Sequence, residues 1–352
     1  MSQPKIIAFF LPQFHAIPEN DKWWEEGFTE WTNTRKSRPL FKGHNQPYEP
    51  LDDRYYSLLD VDTHRWQASL ANKYGIYGFC YYHYWFHGKK LLEKPMELLL
   101  HNPDIDIHYC ISWANETWSR TWSGKEKEIL IQQEYGDKDD WEEHLNYLLP
   151  FFKDDRYIKI QGKLLFIIYK ASEIKNFVEM LSYWNARLKE LEMPELYVIE
   201  TLSGAQKQKH YPETQAALEF EPMYTVRNRM PLYMLKRELI GKLKLWKLGI
   251  YIKLDYEKIC KNIVKRNSDA FLGFFPNWDN TPRMGKRAMI IVGSNARLYE
   301  KYLEMQYKKA AERNQEFLFV NAWNEWAEGA CLEPDKRDKY AYLKATGNIV
   351  GS

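Results

Sequence analysis

Short apolar runs recur along the whole chain, and stretches with the apolar spacing of amphipathic helices separate most of them. Runs that are apolar throughout, without alternating polar residues, are typical of parallel strands covered on both faces. The intervening amphipathic stretches include 62–73, 138–153, 173–191 and 295–314. The eight runs are KIIAFFLP from Lys5, YGIYGFCYYHYWF from Tyr74, IHYCISWAN from Ile107, LLFIIYK from Leu164, LYVIET from Leu196, AALEFEPM from Ala216, FLGFFPNWD from Phe271 and FLFVNAWNEW from Phe317.

This alternation predicts a parallel α/β fold, and the count of eight strands favours a single (β/α)8 barrel over residues 1–352. The alternative is a doubly wound sheet. Neither of the glycine-rich loops that bind nucleotide phosphates follows the first run, so the sequence gives that alternative no nucleotide site.

Polar and aromatic residues cluster just after the C-terminal ends of the predicted strands. In a (β/α)8 barrel all eight of these ends open onto one face, where active sites lie. One pocket is therefore expected to collect these side chains. They are Gln13, His15, Tyr82, His83, Trp85, Trp113, Asn115, Glu116, Glu221, Trp278, Asp279, Asn324, Glu325, Trp326 and Glu328.

Two segments are predicted to be additions to the barrel. Residues 19–54 form a long aromatic loop after the first strand, here called the first loop, which is expected to lie over the pocket. Residues 226–268, here called the basic insertion, precede the seventh strand and hold twelve Lys and Arg residues against three acids. The favoured interpretation is a solvated helical face with Leu, Ile and Trp packed inward. The alternative is contact with an anionic membrane surface or an acidic glycan.

The amino-acid composition limits the kinds of ligand and site that the protein is expected to have. The net charge of +2 argues against a nucleic-acid-binding protein. The 14 Trp and 25 Tyr residues are suited to bind planar ligands or the faces of sugar rings. The four cysteines form no CxxC pair, so neither a zinc site nor a disulfide scaffold is indicated. The N-terminus lacks the pattern of a signal peptide, and no apolar run approaches the roughly 18 residues of a membrane span. We therefore expect a cytoplasmic protein; its oligomeric state is open.

Two carboxylates in the stretch WNEWAEG are the leading catalytic candidates. Glycoside cleavage needs one protonated carboxyl group to assist the leaving oxygen and a second carboxylate as nucleophile or base. Glu325 and Glu328 follow the eighth strand, and flanking tryptophans could stack on sugar rings and raise the pKa of the acid. The alternative is that the tryptophans are core residues and the acids are solvated.

Other polar residues have weaker claims. Glu116, Glu221 and Asp279 are expected to be substrate-binding or structural acids. His83 and His87 are four residues apart, a spacing that could hold a metal on a helix, but no third ligand is evident. Hydrogen bonding to a sugar is therefore favoured for His83, and the same role is expected for His15. The acid pairs at 60–62 and 104–106 match a glycosyltransferase metal motif only over three residues, and the first is interpreted as a helix start. No metal or other cofactor is expected.

Five long motifs resemble the WbsX-type proteins of bacterial surface-polysaccharide gene clusters. That family is in turn similar to glycoside hydrolase family 99, the endo-α-mannosidases and endo-α-mannanases, which are (β/α)8 barrels. The family 99 motif NEWxEG carries two catalytic glutamates and matches Glu325 and Glu328 here. The five motifs are FFLPQFHAIPENDKWWEEGFTEW, YGFCYYHYWF, SWANETW, PNWDNTPR and WNEWAEG.

The resemblance implies a retaining mechanism without a metal. Glu325 would act as base on the 2-hydroxyl of the sugar, forming a 1,2-anhydro sugar, and Glu328 would protonate the leaving oxygen and later activate water. Backside attack by the 2-oxygen restricts the substrate to sugars such as α-mannosides and α-rhamnosides. Flanking sugars would be bound by further pocket residues, which are His15, Tyr82, His83, Trp85, Trp113, Asn115, Glu116, Trp278, Asp279, Asn324 and Trp326.

Three functions follow from these observations. The first is an endo-acting α-glycosidase on a manno- or rhamno-configured polysaccharide. The second is a glycosyltransferase or transglycosylase in O-antigen or capsule (lipopolysaccharide-type) biosynthesis, which the basic insertion favours and the lack of a nucleotide-diphosphate motif opposes. The third, a noncatalytic glycan-binding barrel, leaves the glutamate pair without a role.

Overall fold

The computed structural model describes residues 3–121, 127–204, 206–266 and 268–351. Eight strands form its central parallel sheet, and each begins within two residues of the start of a predicted apolar run. The strands are β1 (Lys5–Phe10), β2 (Ile76–Phe86), β3 (His108–Trp113), β4 (Lys163–Ile168), β5 (Leu196–Leu202), β6 (Ala216–Glu219), β7 (Gly273–Phe274) and β8 (Phe317–Val320).

The sheet closes into a barrel. Its strands are hydrogen-bonded in the order β6, β5, β4, β3, β2, β1, β8, β7. A parallel bridge between Leu218 and Phe271 joins the two ends, with the Phe271 amide donating to the Ala217 carbonyl at 2.8 Å. The predicted (β/α)8 barrel is therefore confirmed.

Helices cover the outside of the barrel and extend its loops. Three of the predicted helices begin at side-chain caps, because Asp60, Asp137 and Asn295 accept hydrogen bonds from backbone amides of the first turn. The helices are α1 (Pro18–Trp23), α2 (Glu30–Lys36), α3 (Val61–Lys73), α4 (Lys94–His101), α5 (Lys138–Phe152), α6 (Phe177–Glu190), α7 (Met223–Arg229), α8 (Pro231–Lys242), α9 (Tyr256–Val264), α10 (Thr281–Met284), α11 (Ala296–Glu312) and α12 (Ala341–Val350).

Short elements decorate the loops. They include 3-10 turns at Leu51–Asp53, Ala171–Glu173, Leu245–Leu248, Gly285–Arg287 and Trp326–Glu328, and short strands at Lys89–Leu91, Trp118–Thr121, Lys127–Ile131, Lys159–Ile160, Lys253–Asp255, Ile290–Val292, Asn324–Glu325 and Ala330–Cys331. None of the helices in the described ranges is both long enough and apolar enough to cross a bilayer.

The interior of the barrel is aromatic. The ring of Phe9 contacts the rings of Phe220 and Phe319, with centroids 5.1 and 6.2 Å apart, and stacks on Tyr82 at 5.5 Å. These side chains come from four different strands or strand ends, so the filled interior supports a site only at its mouth, above this layer.

The two additions lie where the sequence predicts them. The first loop contains α1 and α2, and residues from it contact the loops after β7 and β8. The basic insertion contains α8 and α9; Asn267 within it lies outside the described residues. The expectation that its leucines pack inward is wrong for α8, because Leu232, Leu235 and Leu239 are 75%, 64% and 53% exposed.

Candidate active site

A short hairpin follows β8 and carries both candidate glutamates. Asn324–Glu325 pairs antiparallel with Ala330–Cys331, and the 3-10 turn Trp326–Glu328 connects them. Gly329 closes the turn with a φ of +62°, a conformation that costs glycine little. A Cβ at this position would lie 3.1 Å from the amide nitrogen of Asp279. The hairpin therefore needs glycine both for its backbone and for its contact with the loop after β7.

The hairpin is fixed to the end of β1. The Asn324 side-chain oxygen accepts from the Leu11 amide at 2.7 Å, and its side-chain nitrogen donates to the Leu11 carbonyl at 3.0 Å. Since both polar atoms of this fully buried side chain are used, Asn324 holds the position of Glu325.

Arg283 links the two candidate glutamates to a third. Its guanidinium donates to Glu325 Oε2 at 2.9 Å, to Glu328 Oε1 at 2.6 Å and to Glu30 Oε1 at 2.7 Å. Glu30 begins α2 in the first loop and also accepts from the Ala327 amide at 3.1 Å. We call these four residues the glutamate cluster.

Because Arg283 supplies only one positive charge to three carboxylates, the cluster favours keeping one carboxyl group protonated. Burial raises the pKa of Glu325 to about 8, with repulsion from Glu328 and Glu30 adding to the shift and Arg283 opposing it. Burial likewise raises the pKa of Glu328, again against the attraction of Arg283. The pair can therefore hold one proton near neutral pH, which is the state that general acid–base chemistry requires.

Asp279 holds the loop that supplies Arg283. Its carboxylate accepts from His44 at 2.7 Å, from Gln46 at 2.8 Å and from the Thr281 amide at 3.0 Å, and its amide donates to the Glu328 carbonyl at 2.6 Å. The side chain is only 2% exposed. These contacts tie the first loop, α10 and the hairpin together around the cluster.

Tyrosines in β2 and directly after β4 are within electrostatic range of the cluster. Burial raises the pKa of both Tyr82 and Tyr84, and the charge of Glu325 is the next largest cause for each. Burial also raises the pKa of Tyr169, with contributions from Glu116 and Glu328. Tyr82 was predicted; Tyr84 and Tyr169 were not.

Behind the hairpin lies a further buried carboxylate. Glu333 accepts from the Trp326 indole at 2.7 Å, from Tyr56 at 2.8 Å and from Gln67 at 2.7 Å, and burial raises its pKa to about 7. Trp326 packs against Trp31 with ring centroids 5.3 Å apart. Trp326 is thus fixed as the packed base of the turn that carries Glu328.

Several predicted pocket residues lie on the outer side of the sheet. Side chains alternate along β2, so His83 and Trp85 point away from Tyr82 and contact His144 of α5. Trp113 packs on the same histidine at 4.8 Å. The structure does not bring these three to the glutamate cluster.

His83 forms a buried pair with a second histidine. Burial lowers its pKa to about 3, and its Nε2 lies 2.9 Å from His144 Nε2. Within the described ranges no group of three or more His, Cys, Asp or Glu side chains is arranged to hold a metal ion.

The remaining candidates are dispersed. Asn115 is fully buried and bonded to Lys170 and Tyr135, and Trp278 is 4% exposed in the core. Burial lowers the pKa of His15; a hydrogen bond to the Pro12 backbone and the charge of Glu93 oppose this shift, and His64 and Lys94 add to it. Their roles in substrate binding stay predictions.

The competing acids have different surroundings. Glu116 is at the rim, with 47% of its side chain exposed and Lys170 at 3.5 Å. Glu221 is buried in an ion-pair network with Arg266, whose Nη2 lies 2.9 Å from its Oε1. Glu116 is therefore accessible to a ligand, whereas the carboxylate of Glu221 is engaged in a buried ion pair.

The sequence itself identifies the family. Residues 6–346 match the family model described as glycosyltransferase WbsX. The chain belongs to the WbsX family. A curated relative named WxcX, from Xanthomonas campestris pv. campestris, is 33% identical over 97% of this chain. The alignment covers 49% of WxcX, so the chain spans about half the length of the curated relatives it matches.

Solved structures share the fold of this WbsX-family chain. A family 99 endo-α-mannosidase from Bacteroides thetaiotaomicron has a TM-score of 0.53 and 14% identity, covering 98% of this chain and 96% of its own. A glycoside hydrolase-like protein has a TM-score of 0.61 and 13% identity, covering 99% and 94%. These likenesses show that the chain shares its fold with these two proteins.

Proposed function

We propose that this chain is a retaining, endo-acting α-glycosidase on a manno- or rhamno-configured bacterial polysaccharide. The observation that carries the proposal is the contact of Glu325 and Glu328 with one guanidinium, at 2.9 and 2.6 Å, at the mouth of the barrel. A shared cation couples the two carboxyl groups, so that a single proton can reside on either one.

In the first step, Glu325 takes the proton of the 2-hydroxyl and the 2-oxygen attacks C1 of the same sugar. The bond from C1 to the leaving oxygen breaks, and Glu328 gives its proton to that oxygen. In the second step, Glu328 takes a proton from water as the water oxygen attacks C1. The 2-oxygen then leaves C1 and recovers its proton from Glu325. Two inversions at C1 give net retention.

This mechanism explains why the two acids can lie so close in sequence. Neither carboxylate must reach C1 from the opposite face, since the sugar supplies its own nucleophile. The 2-oxygen must be anti to the leaving group, which α-mannosides and α-rhamnosides satisfy and α-glucosides do not.

We further propose that the tyrosines beside the cluster form the sugar-binding walls. The charge of Glu325 raises the pKa of Tyr82 and Tyr84, and the charges of Glu116 and Glu328 raise the pKa of Tyr169, so all three are within electrostatic range of these acids. Phenol rings and hydroxyls together suit the apolar and polar faces of a sugar. Glu116 keeps its role as a candidate for hydrogen bonding to a flanking sugar.

The second candidate function is a glycosyltransferase or transglycosylase in surface-polysaccharide assembly. The description of the matched family as a glycosyltransferase favours it. A transglycosylase would use the same first step and replace water with a sugar hydroxyl in the second. A nucleotide-sugar enzyme would instead need a diphosphate site, which can be tested by calorimetric titration with nucleotide sugars.

The deciding experiment follows new reducing ends by mass spectrometry with α-mannan and α-rhamnan oligosaccharides. Wild type is compared with Glu325→Gln and Glu328→Gln, and with Glu304→Gln, an exposed glutamate on the outer helix α11, as a control. We expect cleavage by wild type and by the control, and a loss of 10²-fold or more in each cluster variant. Cleavage that survives both cluster substitutions would refute the assignment, and products longer than the substrate would indicate transfer.

A second comparison separates the two roles. An aryl α-mannoside with an acidic phenol leaving group needs little protonation. We expect such a substrate to restore much of the first-step rate in Glu328→Gln but not in Glu325→Gln. The reverse pattern would exchange the roles of the two glutamates.

A further inference from the structure

The basic insertion presents leucines to solvent in an ordered pattern. Of the twelve exposed large apolar residues of the described chain, six lie between residues 232 and 250. Monomeric soluble proteins scatter such residues singly, so a concentration in one segment marks an interaction surface. They are Leu232, Leu235, Leu239, Leu243, Leu248 and Ile250, with exposures from 45% to 76%.

The leucines of α8 form one narrow stripe. At about 100° per residue, positions 232, 235, 239 and 243 fall within an arc of about 80°. We call these four residues the leucine stripe. The opposite face of α8 carries Tyr233, which is only 7% exposed, and Met234, which packs against the core. The helix is therefore held by one face while its apolar stripe points outward.

Basic residues border the stripe. Lys236 and Lys242 each project about 20° outside its edges by the same helical spacing. Residues 231–253 contain six Lys and Arg and one acid, a net charge of +5 against +2 for the whole chain. An apolar stripe with flanking lysines matches the surface of a bilayer, where leucines enter the acyl boundary and lysines reach anionic headgroups.

We propose that the leucine stripe and its flanking lysines bind the surface of a membrane that contains anionic phospholipid. The positive charge of residues 231–253 favours an anionic membrane over a second copy of the chain, because a second copy would place the same positively charged segment against this one. The segment also adjoins the candidate active site. Its turn Leu245–Leu248 lies beside Gly285–Arg287, directly after the α10 helix that carries Arg283. A glycan held at the membrane would therefore be presented near the barrel mouth.

The test is co-sedimentation of the full chain with vesicles of phosphatidylcholine and phosphatidylglycerol, against vesicles of phosphatidylcholine alone. The test variant is Leu235→Gln, Leu239→Gln and Leu243→Gln combined. The matched control replaces three exposed apolar residues elsewhere, Leu59→Gln, Leu191→Gln and Met305→Gln. Circular dichroism and Tm check that both variants fold as wild type does.

We expect wild type and the control to bind the anionic vesicles, and the stripe variant to lose roughly tenfold or more in partitioning. Changing Lys236 and Lys242 to Gln should weaken binding and reduce its salt dependence. Failure of wild type to bind would overturn the proposal, as would binding that the stripe variant retains. So would leucine-dependent dimers in analytical ultracentrifugation, or binding only to a soluble acidic polysaccharide. None of these outcomes depends on glycosidase activity.

Discussion

At the scale of single residues, the chemistry of the site depends on Arg283. One guanidinium contacts three carboxylates, two of which have pKa values raised by burial. Without the cation, burial and mutual repulsion would raise the carboxyl pKa values further, so less of the carboxylate form needed as a base would be present near neutral pH. Arg283 thus sets the pH range in which the pair holds one proton.

The first prediction concerns this pH range. Glycosidase activity should fall at alkaline pH, where the pair loses the proton that Glu328 must give to the leaving oxygen, and burial raises the pKa of that group. Arg283→Met should lower kcat/KM and move the alkaline limb up by about one pH unit, because removing a nearby positive charge raises a carboxyl pKa. The measurement is kcat/KM against pH, with Arg287→Met as a control for loss of one exposed charge. The role proposed for Arg283 would be contradicted if the alkaline limb of the profile stayed at the same pH or moved to a lower pH.

The second prediction concerns stability. The pKa of Glu325 is raised from 4.5 to about 8 in the folded chain, so the folded state binds this proton more tightly than the unfolded state does. Stability from this group is present below about pH 4.5 and is lost as pH rises towards 8. Glu325→Gln, which stays neutral, should therefore be more stable than wild type at pH 8 by about 1 kcal/mol or more.

Thermal unfolding across this pH range checks the expectation. The advantage of Glu325→Gln should shrink as pH falls and vanish near pH 4, where the wild-type carboxyl is neutral in both states. Glu116→Gln, at the exposed rim, should show no such trend. A pH-independent difference would mean that the raised pKa of Glu325 is not the cause.

At the scale of elements, the site is built where three loops meet. The hairpin after β8 supplies Glu325 and Glu328, the loop after β7 supplies Arg283, and α2 of the first loop supplies Glu30. Asp279 joins all three through His44, Gln46 and the Glu328 carbonyl. A substitution that distorts one of these loops is therefore expected to displace the charged side chains on the other two.

The third prediction uses Gly329. Gly329→Ala must adopt a φ of +62° and place its Cβ 3.1 Å from the Asp279 amide and 3.0 Å from a Tyr48 ring carbon. We expect a loss of about 2–3 kcal/mol in stability and of tenfold or more in kcat/KM. Gly162→Ala, at the N-terminal end of β4 and away from the three site loops, is the matched control, because its φ is +78° but nothing lies within 4 Å of the new Cβ. It should cost about 1 kcal/mol and leave activity unchanged. Equal losses in both variants would show that strain, and not the contact with Asp279, matters.

The same scale explains what sequence alone could predict. Continuous apolar runs identified all eight strands, since burial on both faces leaves an unmistakable pattern. The strand ends pointed to the mouth where the glutamate cluster lies, but not to which side chains enter it. Side chains alternate along β2, so Tyr82 and Tyr84 face the cluster while His83 and Trp85 face α5. Because all four of these residues are aromatic, the sequence does not show which of them face inward. Glu30 and Arg283 lie inside quoted motifs, yet only the fold brings positions 250 residues apart together.

At the scale of the whole molecule, the barrel depends on its closing seam. β6 and β7 approach so closely that a Cβ on Gly273 would lie 1.9 Å from the Glu219 carbonyl oxygen. Beside this seam Arg266 donates to Glu219, Glu221 and Thr225, and all four side chains are buried. Glu221 was considered as a site acid; its place in this network accounts for its burial without any substrate.

The last prediction tests this seam. Arg266→Met leaves Glu219 and Glu221 buried without a counter-ion, so it should lower the free energy of unfolding by about 3–5 kcal/mol. Replacing all three at once, with Glu219→Gln, Glu221→Gln and Arg266→Met, removes the uncompensated charge and should recover much of that loss. Urea denaturation gives both values, and Arg237→Met on exposed α8 should change stability by less than about 0.5 kcal/mol. If the triple variant is as unstable as Arg266→Met alone, then packing and hydrogen bonds of Arg266, and not charge balance, hold the barrel closed.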